Sequence, residues 1–219
     1  MITDVKVLDN FYSDPEPIIK LVKDFPITGC GTGSRSIGLQ EIDPKLYQDF
    51  CRGLFSIHGV DGRNMRVTTF FMEHTYNPID IFNYGWVHID GKNPDACRML
   101  VEEYKLIFCG QIFLTPNPNP DTGVQICSLK PELNWTRQEL IDKTINDYTI
   151  PKENYDAGII SVEEYANIHK EYHNSFSTTC DIKNVYNRMV SWRGGSLHGQ
   201  NMKSDMPKRL NQYFFVESF

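Results

Sequence analysis

The chain is predicted to fold as a mainly β protein with flanking helices, and three observations carry that expectation. Four runs, Met65 to Met72, Trp86 to Asp90, Val185 to Trp192 and Arg209 to Val216, have the length and the alternating or β-rich make-up of strands. Helix-opening signatures gather elsewhere, within residues 1–60 and 129–182. With 219 residues, 40% of them hydrophobic, the chain can bury one sizeable core. A single domain over 1–219 is therefore expected, with a helical preface at 1–60, a β core at 64–128 and 183–219, and a helical insertion at 129–182.

Taken in order, Ser13 and Glu16 stand at capping-box spacing with Pro15 between them, and Ile18, Ile19, Leu21 and Val22 supply an apolar face before Pro26. A short helix is expected there. Gly31-Thr32-Gly33-Ser34 is too short for a phosphate loop and has no following lysine, so it reads as a turn. A second helix is expected over Pro44 to Phe55, where Leu46, Phe50 and Leu54 recur every four residues. The strand from Met65 follows, then a loop at Asn77-Pro78, then the strand of Trp86 to Asp90. In the insertion, Thr136 with Glu139 and Ser161 with Glu164 each open a polar helical stretch. Such an insertion could wall the open end of the core or simply cover a sheet edge.

Charge and cysteine content narrow the classes of partner. A net charge of -6 and a pI near 5.5 argue against a broad phosphate-binding surface, so a nucleic-acid partner is not expected. The six cysteines, at 30, 51, 97, 109, 127 and 180, show neither a Cys-x-x-Cys pair nor the dense spacing of a disulfide scaffold. Reduced thiols in a cytoplasm fit best. Met1 to Lys6 form no signal peptide, and no apolar run approaches membrane-spanning length.

The chemistry is expected from four residues. Along Trp86-Val87-His88-Ile89-Asp90 a strand would aim His88 and Asp90 from one face. A glycine turn at Gly194-Gly195 then delivers His198 after the apolar run to Trp192. Two histidines and one carboxylate on one side of a metal leave the opposite positions open, as in non-haem Fe(II) oxygenases. Arg209 follows His198 by eleven positions, and its planar fork can hold the far carboxylate of a dicarboxylic acid by two parallel hydrogen bonds. Alone, His-x-Asp could be two polar residues of a surface strand, and Arg209 a solvated strand-end charge. Of the other histidines, His169 and His173 lie four apart and could share a zinc, but Lys170 stands where the zincin pattern needs glutamate, so a solvated helix face is expected. His58 and His74 have no partner pattern, and Cys109 and Cys127 read as small buried hydrophobes.

These residues carry a family resemblance. Val87-His88-Ile89-Asp90, Ile107 to Pro116, Asp121 to Ile126, Tyr186 to Trp192 leading into Gly195-Ser196-Leu197-His198, and Arg209 to Val216 together resemble the Fe(II)/2-oxoglutarate-dependent dioxygenases, within them the compact prolyl-hydroxylase-like branch with its small bacterial and phage-encoded members. The opening Leu8 to Pro15 resembles the lead-in of such proteins. The resemblance implies a double-stranded β-helix, a cupin-like jelly-roll core, with Fe(II) on His88, Asp90 and His198 at one mouth and 2-oxoglutarate deeper inside on Arg209. It implies consumption of 2-oxoglutarate and dioxygen, release of succinate and CO2, hydroxylation of an unactivated C–H bond, and a possible need for ascorbate or a similar reductant. The substrate would be a peptidyl side chain, a free amino acid or another small metabolite, in the cytoplasm, or the host's if phage-encoded. The alternative is a jelly-roll binding or structural protein, or a cupin-like metalloprotein using another metal.

One departure matters. Where related hydroxylases often place a tyrosine to help hold 2-oxoglutarate, this chain has Phe113. Gln111, two positions earlier on the same face, or Tyr213 could supply the polar contact, and each could equally be a core-facing residue. Trp86, Trp192 and Arg193 flank the expected ligands and would line the mouth, or the tryptophans would be core.

Overall fold

A computed structural model describes residues 5–25, 28–30, 33–35, 37–75, 87–90, 105–201 and 208–218. Ten strands are formed among them: β1 (Lys6–Leu8), β2 (Thr28–Cys30), β3 (Gly33–Arg35), β4 (Met65–Thr75), β5 (Lys105–Phe113), β6 (Val124–Leu129), β7 (Phe176–Ile182), β8 (Met189–Arg193), β9 (Leu197–Gln200) and β10 (Lys208–Ser218), with helices α1 (Glu16–Lys23), α2 (Leu39–Ile42), α3 (Pro44–His58), α4 (Arg137–Thr144), α5 (Ile150–Asp156) and α6 (Val162–His173). All pairings are antiparallel, in a large sheet of order β1-β8-β5-β10-β4-β3-β2 and a small one of order β7-β6-β9. A backbone bridge from His88 to His198 adds the 87–90 segment beside β9. From β4 onward the chain therefore visits large, small, large, small, small, large, small and large sheet in turn. That alternation is the jelly-roll, or double-stranded β-helix.

Strand alternation sorts the large sheet into two faces. One face sends Val67, Phe71, Phe108, Ile112, Phe214 and Val216 against α1 (Glu16–Lys23) and α3 (Pro44–His58), which return Ile18, Ile19, Val22, Phe50 and Leu54. The other sends Cys109, Phe113, Val190 and Trp192 against Val124, Ile126 and Ile182 of the small sheet. This second face becomes polar toward one end, where Gln111 and Asn211 are fully buried. A third cluster joins the back of the small sheet to the insertion: Val87, Cys127 and Phe176 pack on Leu140 of α4 (Arg137–Thr144) and Tyr172 of α6 (Val162–His173).

Helices form at the expected places, with ends that differ from those expected. Thr136 and Glu139 form the full capping box of α4, and Ser161 Oγ accepts the Glu164 N–H to open α6. The box expected at Ser13 and Glu16 does not form: Pro15 is the N-cap, the Glu16 N–H goes to Asp14 Oδ1 at 3.1 Å, and Glu16 Oε1 accepts from Tyr186 Oη at 2.7 Å. α3 runs to His58, past the expected Phe55, and stops at Gly59 with φ 63°. The strand expected from Val185 begins only at Met189, because Asn187 adopts φ 61° and its side chain is tied to both backbone groups of Tyr12. Within 129–182 the last seven residues are β7, paired with β6, and the preface carries β1 to β3 besides its helices. No helix among the described residues is long and apolar enough to cross a membrane.

Candidate metal centre

Three expected donors converge between the two sheets. Nitrogen or oxygen atoms of His88, Asp90 and His198 all lie within 4.8 Å of one another. His88 Nε2 is 3.4 Å from Asp90 Oδ1, and His198 Nε2 is 3.2 Å from Asp90 Oδ2. Adjacent donors around a six-coordinate ion at about 2.1 Å stand roughly 3 Å apart, close to the two imidazole–carboxylate separations, so the three groups are placed to share one cation. Register explains the convergence. His88 N–H donates to the His198 carbonyl at 2.8 Å and His198 N–H to the His88 carbonyl at 3.0 Å, which sets the two rings 4.4 Å apart. In place of the strand expected up to Asp90, the described residues 87–90 make this single bridge and then turn, and the turn brings the Asp90 carboxylate to both rings.

The site is sheltered. His198 is 4% exposed, with the Trp192 indole against its ring at 4.5 Å and Nδ1 3.0 Å from the Ser196 carbonyl. A carbonyl only accepts, so that contact calls for a proton on Nδ1, the arrangement that frees Nε2 for a metal ion when one binds. Burial alone would raise the Asp90 carboxyl, but the neighbouring His198 and His88 hold it well below the usual carboxylate range. Cys109 Sγ donates to Asp90 Oδ2 at 3.1 Å, and burial, with that carboxylate beside it, pushes the thiol well up.

Deeper along the same face lies a polar cluster that includes the other expected residues. Arg209 is buried, and its guanidinium donates to Gln200 Oε1 and to the Thr122 and Asn201 carbonyls. Gln200 donates in turn to Tyr213 Oη and, at 3.1 Å, to Gln111 Oε1. Tyr213 Oη is also 2.7 Å from His74 Nε2, and Asn211 Nδ2 lies 3.3 Å from it. Gln111 Nε2 is buried with no hydrogen-bond partner among the described residues. Arg209, Gln111 and Tyr213 are thus brought together, through neutral acceptors and amides.

Several residues take places that the sequence did not assign. Gln200, Asn211 and Tyr172 were missed, although Gln200 sits two residues after His198 on β9, the spacing that puts it on the ligand face. Cys109 is buried as expected but bonds to a site carboxylate. Cys127 is buried in the third cluster. His169 is 2% exposed rather than solvated, because α6 turns that face inward with Tyr165 and Tyr172. His58 stacks on Phe108 at 3.6 Å and meets Ser191 Oγ at 3.0 Å, behind the sheet. Phe113 is core, Trp192 is both core and wall of the His198 ring, Arg193 is exposed, and Trp86 lies outside the described residues.

No protein-family model and no curated protein sequence matches the chain. Solved structures do. HygX from Streptomyces hygroscopicus with nickel, 2-oxoglutarate and hygromycin B bound aligns with a TM-score of 0.58 at 13% identity over 99% of this chain and 83% of that one. SnoK, a non-haem α-ketoglutarate-dependent carbocyclase from nogalamycin biosynthesis, gives 0.54 at 12% over 99% and 80%. EvdO2 from Micromonospora carbonacea var. aurantiaca gives 0.51 at 11% over 99% and 87%. The chain has the jelly-roll fold that these proteins share.

Proposed function

We propose that the protein is an Fe(II)- and 2-oxoglutarate-dependent oxygenase. The carrying observation is the convergence of His88, Asp90 and His198 within 4.8 Å inside a jelly-roll. The bound nickel and 2-oxoglutarate of HygX, on the same fold, support it. His88, Asp90 and His198 would hold the iron. Arg209, Gln111 and Tyr213 would hold 2-oxoglutarate, and Gln111 Nε2, buried without a partner among the described residues, is a donor suited to a carboxylate oxygen. Iron and 2-oxoglutarate together supply the activation of dioxygen, with decarboxylation to succinate and CO2.

The chain's own residues set the conditions for that chemistry. The Asp90 carboxylate would offer charge to a dication and the two imidazoles one nitrogen each, all from one side, leaving the opposite side open. The buried Arg209 guanidinium supplies the positive charge for the far carboxylate, with Gln200 as the acceptor that yields to it. Trp192 and the apolar residues between the sheets exclude water from the inner side. The reaction is hydroxylation of an unactivated C–H bond, and a peptidyl side chain, free amino acid or other small metabolite is the substrate class, with a reductant such as ascorbate to keep the iron ferrous. The protein would work in a cytoplasm as a single domain.

The test is anaerobic titration of the Fe(II)-loaded protein with 2-oxoglutarate, followed by visible absorption. Chelation of the keto acid gives a weak charge-transfer band in wild type that is lost in His198→Ala. Bound iron with no band would favour a cupin-like metalloprotein or a non-catalytic jelly-roll instead.

A further inference from the structure

We infer that the Cys109 thiol is a positioning residue for Asp90, fixing the rotation of the carboxylate that the two imidazoles share; the inference rests on the metal reading proposed above. Each donor of the site is steadied by something. The histidines are steadied locally: His198 through Nδ1 and the Ser196 carbonyl, His88 through the backbone pair with His198. Asp90 is different. It lies two residues past the His88–His198 bridge, and its described contacts are the two imidazoles and a sulfur that reaches it from the large sheet.

The placement of that sulfur follows from register. On β5, Cys109, Gln111 and Phe113 face the interior, and Cys109 is paired with Phe215 on one side and Trp192 on the other. Both neighbours are large, so the short cysteine lies in a gap between them that the carboxylate fills. Sγ is 3.1 Å from Oδ2, close for a sulfur donor, and Cys109 is 1% exposed, so water does not compete. A donor on either oxygen of a ligating carboxylate fixes its rotation, and groups in that position control affinity without touching the metal. A neutral S–H does this without bringing a second charge.

The test uses Co(II), whose visible d–d bands report coordination, titrated anaerobically into the full-length apoprotein. Cys109→Ala removes the donor and should weaken Co(II) binding about 10-fold or more, with a changed band envelope. Cys109→Ser restores a donor and should recover most of the affinity and the wild-type spectrum. Cys109→Val, branched and larger by about one methyl but without a donor, should bind no better than alanine, and stands in for it if the alanine cavity unfolds the chain. Unchanged affinity and spectrum in the alanine or valine variant would overturn the inference, as would a serine variant as impaired as valine, since that pattern marks packing alone. No Co(II) uptake by wild type would remove the metal reading itself, and this inference with it.

Discussion

Tyr172→Phe is the substitution that best tests how the insertion serves the site. The Tyr172 hydroxyl donates to the Val87 carbonyl at 2.6 Å, across 85 residues, with Thr144 Oγ1 3.0 Å away. Its ring lies edge-on to Phe176 at 5.0 Å, and the whole residue is 2% exposed. Phenylalanine keeps the ring and its packing, so the loss is confined to one oxygen. Val87 is itself fully buried, and water cannot readily replace the donor. Depriving a buried carbonyl of its donor costs about 1–3 kcal/mol. In a chain of this size about 2 kcal/mol lowers Tm by roughly 4–8 °C. Val87 is bonded directly to His88, so Fe(II) or Co(II) affinity should fall as well, by up to about 10-fold. Thermal unfolding of the apoprotein and metal titration of the same sample separate the two effects. A variant with wild-type Tm and wild-type metal affinity would refute the view that α6 clamps the ligand segment.

Further predictions address the site and its frame. Arg209→Ala should weaken 2-oxoglutarate by about 2–5 kcal/mol while leaving Fe(II) affinity nearly intact, because a buried charge pair is lost and no metal donor is touched; equal keto-acid affinity, read from the charge-transfer titration, would contradict the assignment. His88→Ala combined with Asp90→Ala should abolish iron binding and 2-oxoglutarate turnover with the circular dichroism spectrum preserved. Gly110→Ala should be severely destabilising, beyond about 3 kcal/mol, since an added Cβ would stand 2.1 Å from the Val190 carbonyl oxygen between β5 and β8; a urea midpoint near wild type would show that these strands can part more easily than their packing implies. For pH, burial, with His173 beside it, pushes the His169 imidazole from an ordinary 6.5 down to about 4. Between those values the unfolded chain binds the proton and the folded one does not, so stability is full above about pH 6.5 and is lost as pH falls toward 4, by at most about 3 kcal/mol. His169→Gln should flatten the Tm profile across that window, and an unchanged slope would place the proton-linked loss elsewhere.

What the sequence revealed and what it hid divide by range of interaction. The pairing of His88 with Asp90 was legible from their two-residue spacing, although it is one bridge and a turn, not the expected strand, that bring them together. The capping box at Thr136 was legible for a similar reason, since all of its partners lie within four residues. The same motif failed at Ser13 because Asp14 stood nearer the Glu16 N–H and Tyr186, 170 residues away, took the glutamate. Cys109, Gln200 and Tyr172 gain their significance from partners 19, 89 and 85 residues distant. No local pattern encodes such contacts, and His169 shows the converse, a polar residue whose burial depends on where the whole helix docks. β7 was hidden by composition: its middle residues are small, polar and exposed, and only Phe176 and Ile182 at its two ends are buried.

The departure at Phe113 has a compensation that only register makes visible. β5 and β10 pair so that Gln111 lies opposite Tyr213 and Phe113 opposite Asn211. A hydroxyl absent from β5 is therefore present on the adjacent strand, one pair nearer the middle of β5, and on the same face. Tyr213 Oη reaches the cluster between His74 at 2.7 Å and Gln200 Nε2, the same amide whose Oε1 accepts from Arg209. Burial raises the Tyr213 phenol while Arg209 opposes that shift, so at neutral pH the phenol keeps its proton and can donate. On the proposed reading, a carboxylate entering beside Arg209 would meet one charged group and several neutral donors, Tyr213 and Gln111 among them. A pocket of that composition favours a compact dianion that is recognised at its far end by hydrogen bonds as much as by charge. Lysine in place of Arg209 would keep the charge but not the fork that now spans Gln200 and the Thr122 carbonyl, which is why the arginine, rather than its charge alone, is tied to this arrangement of amides.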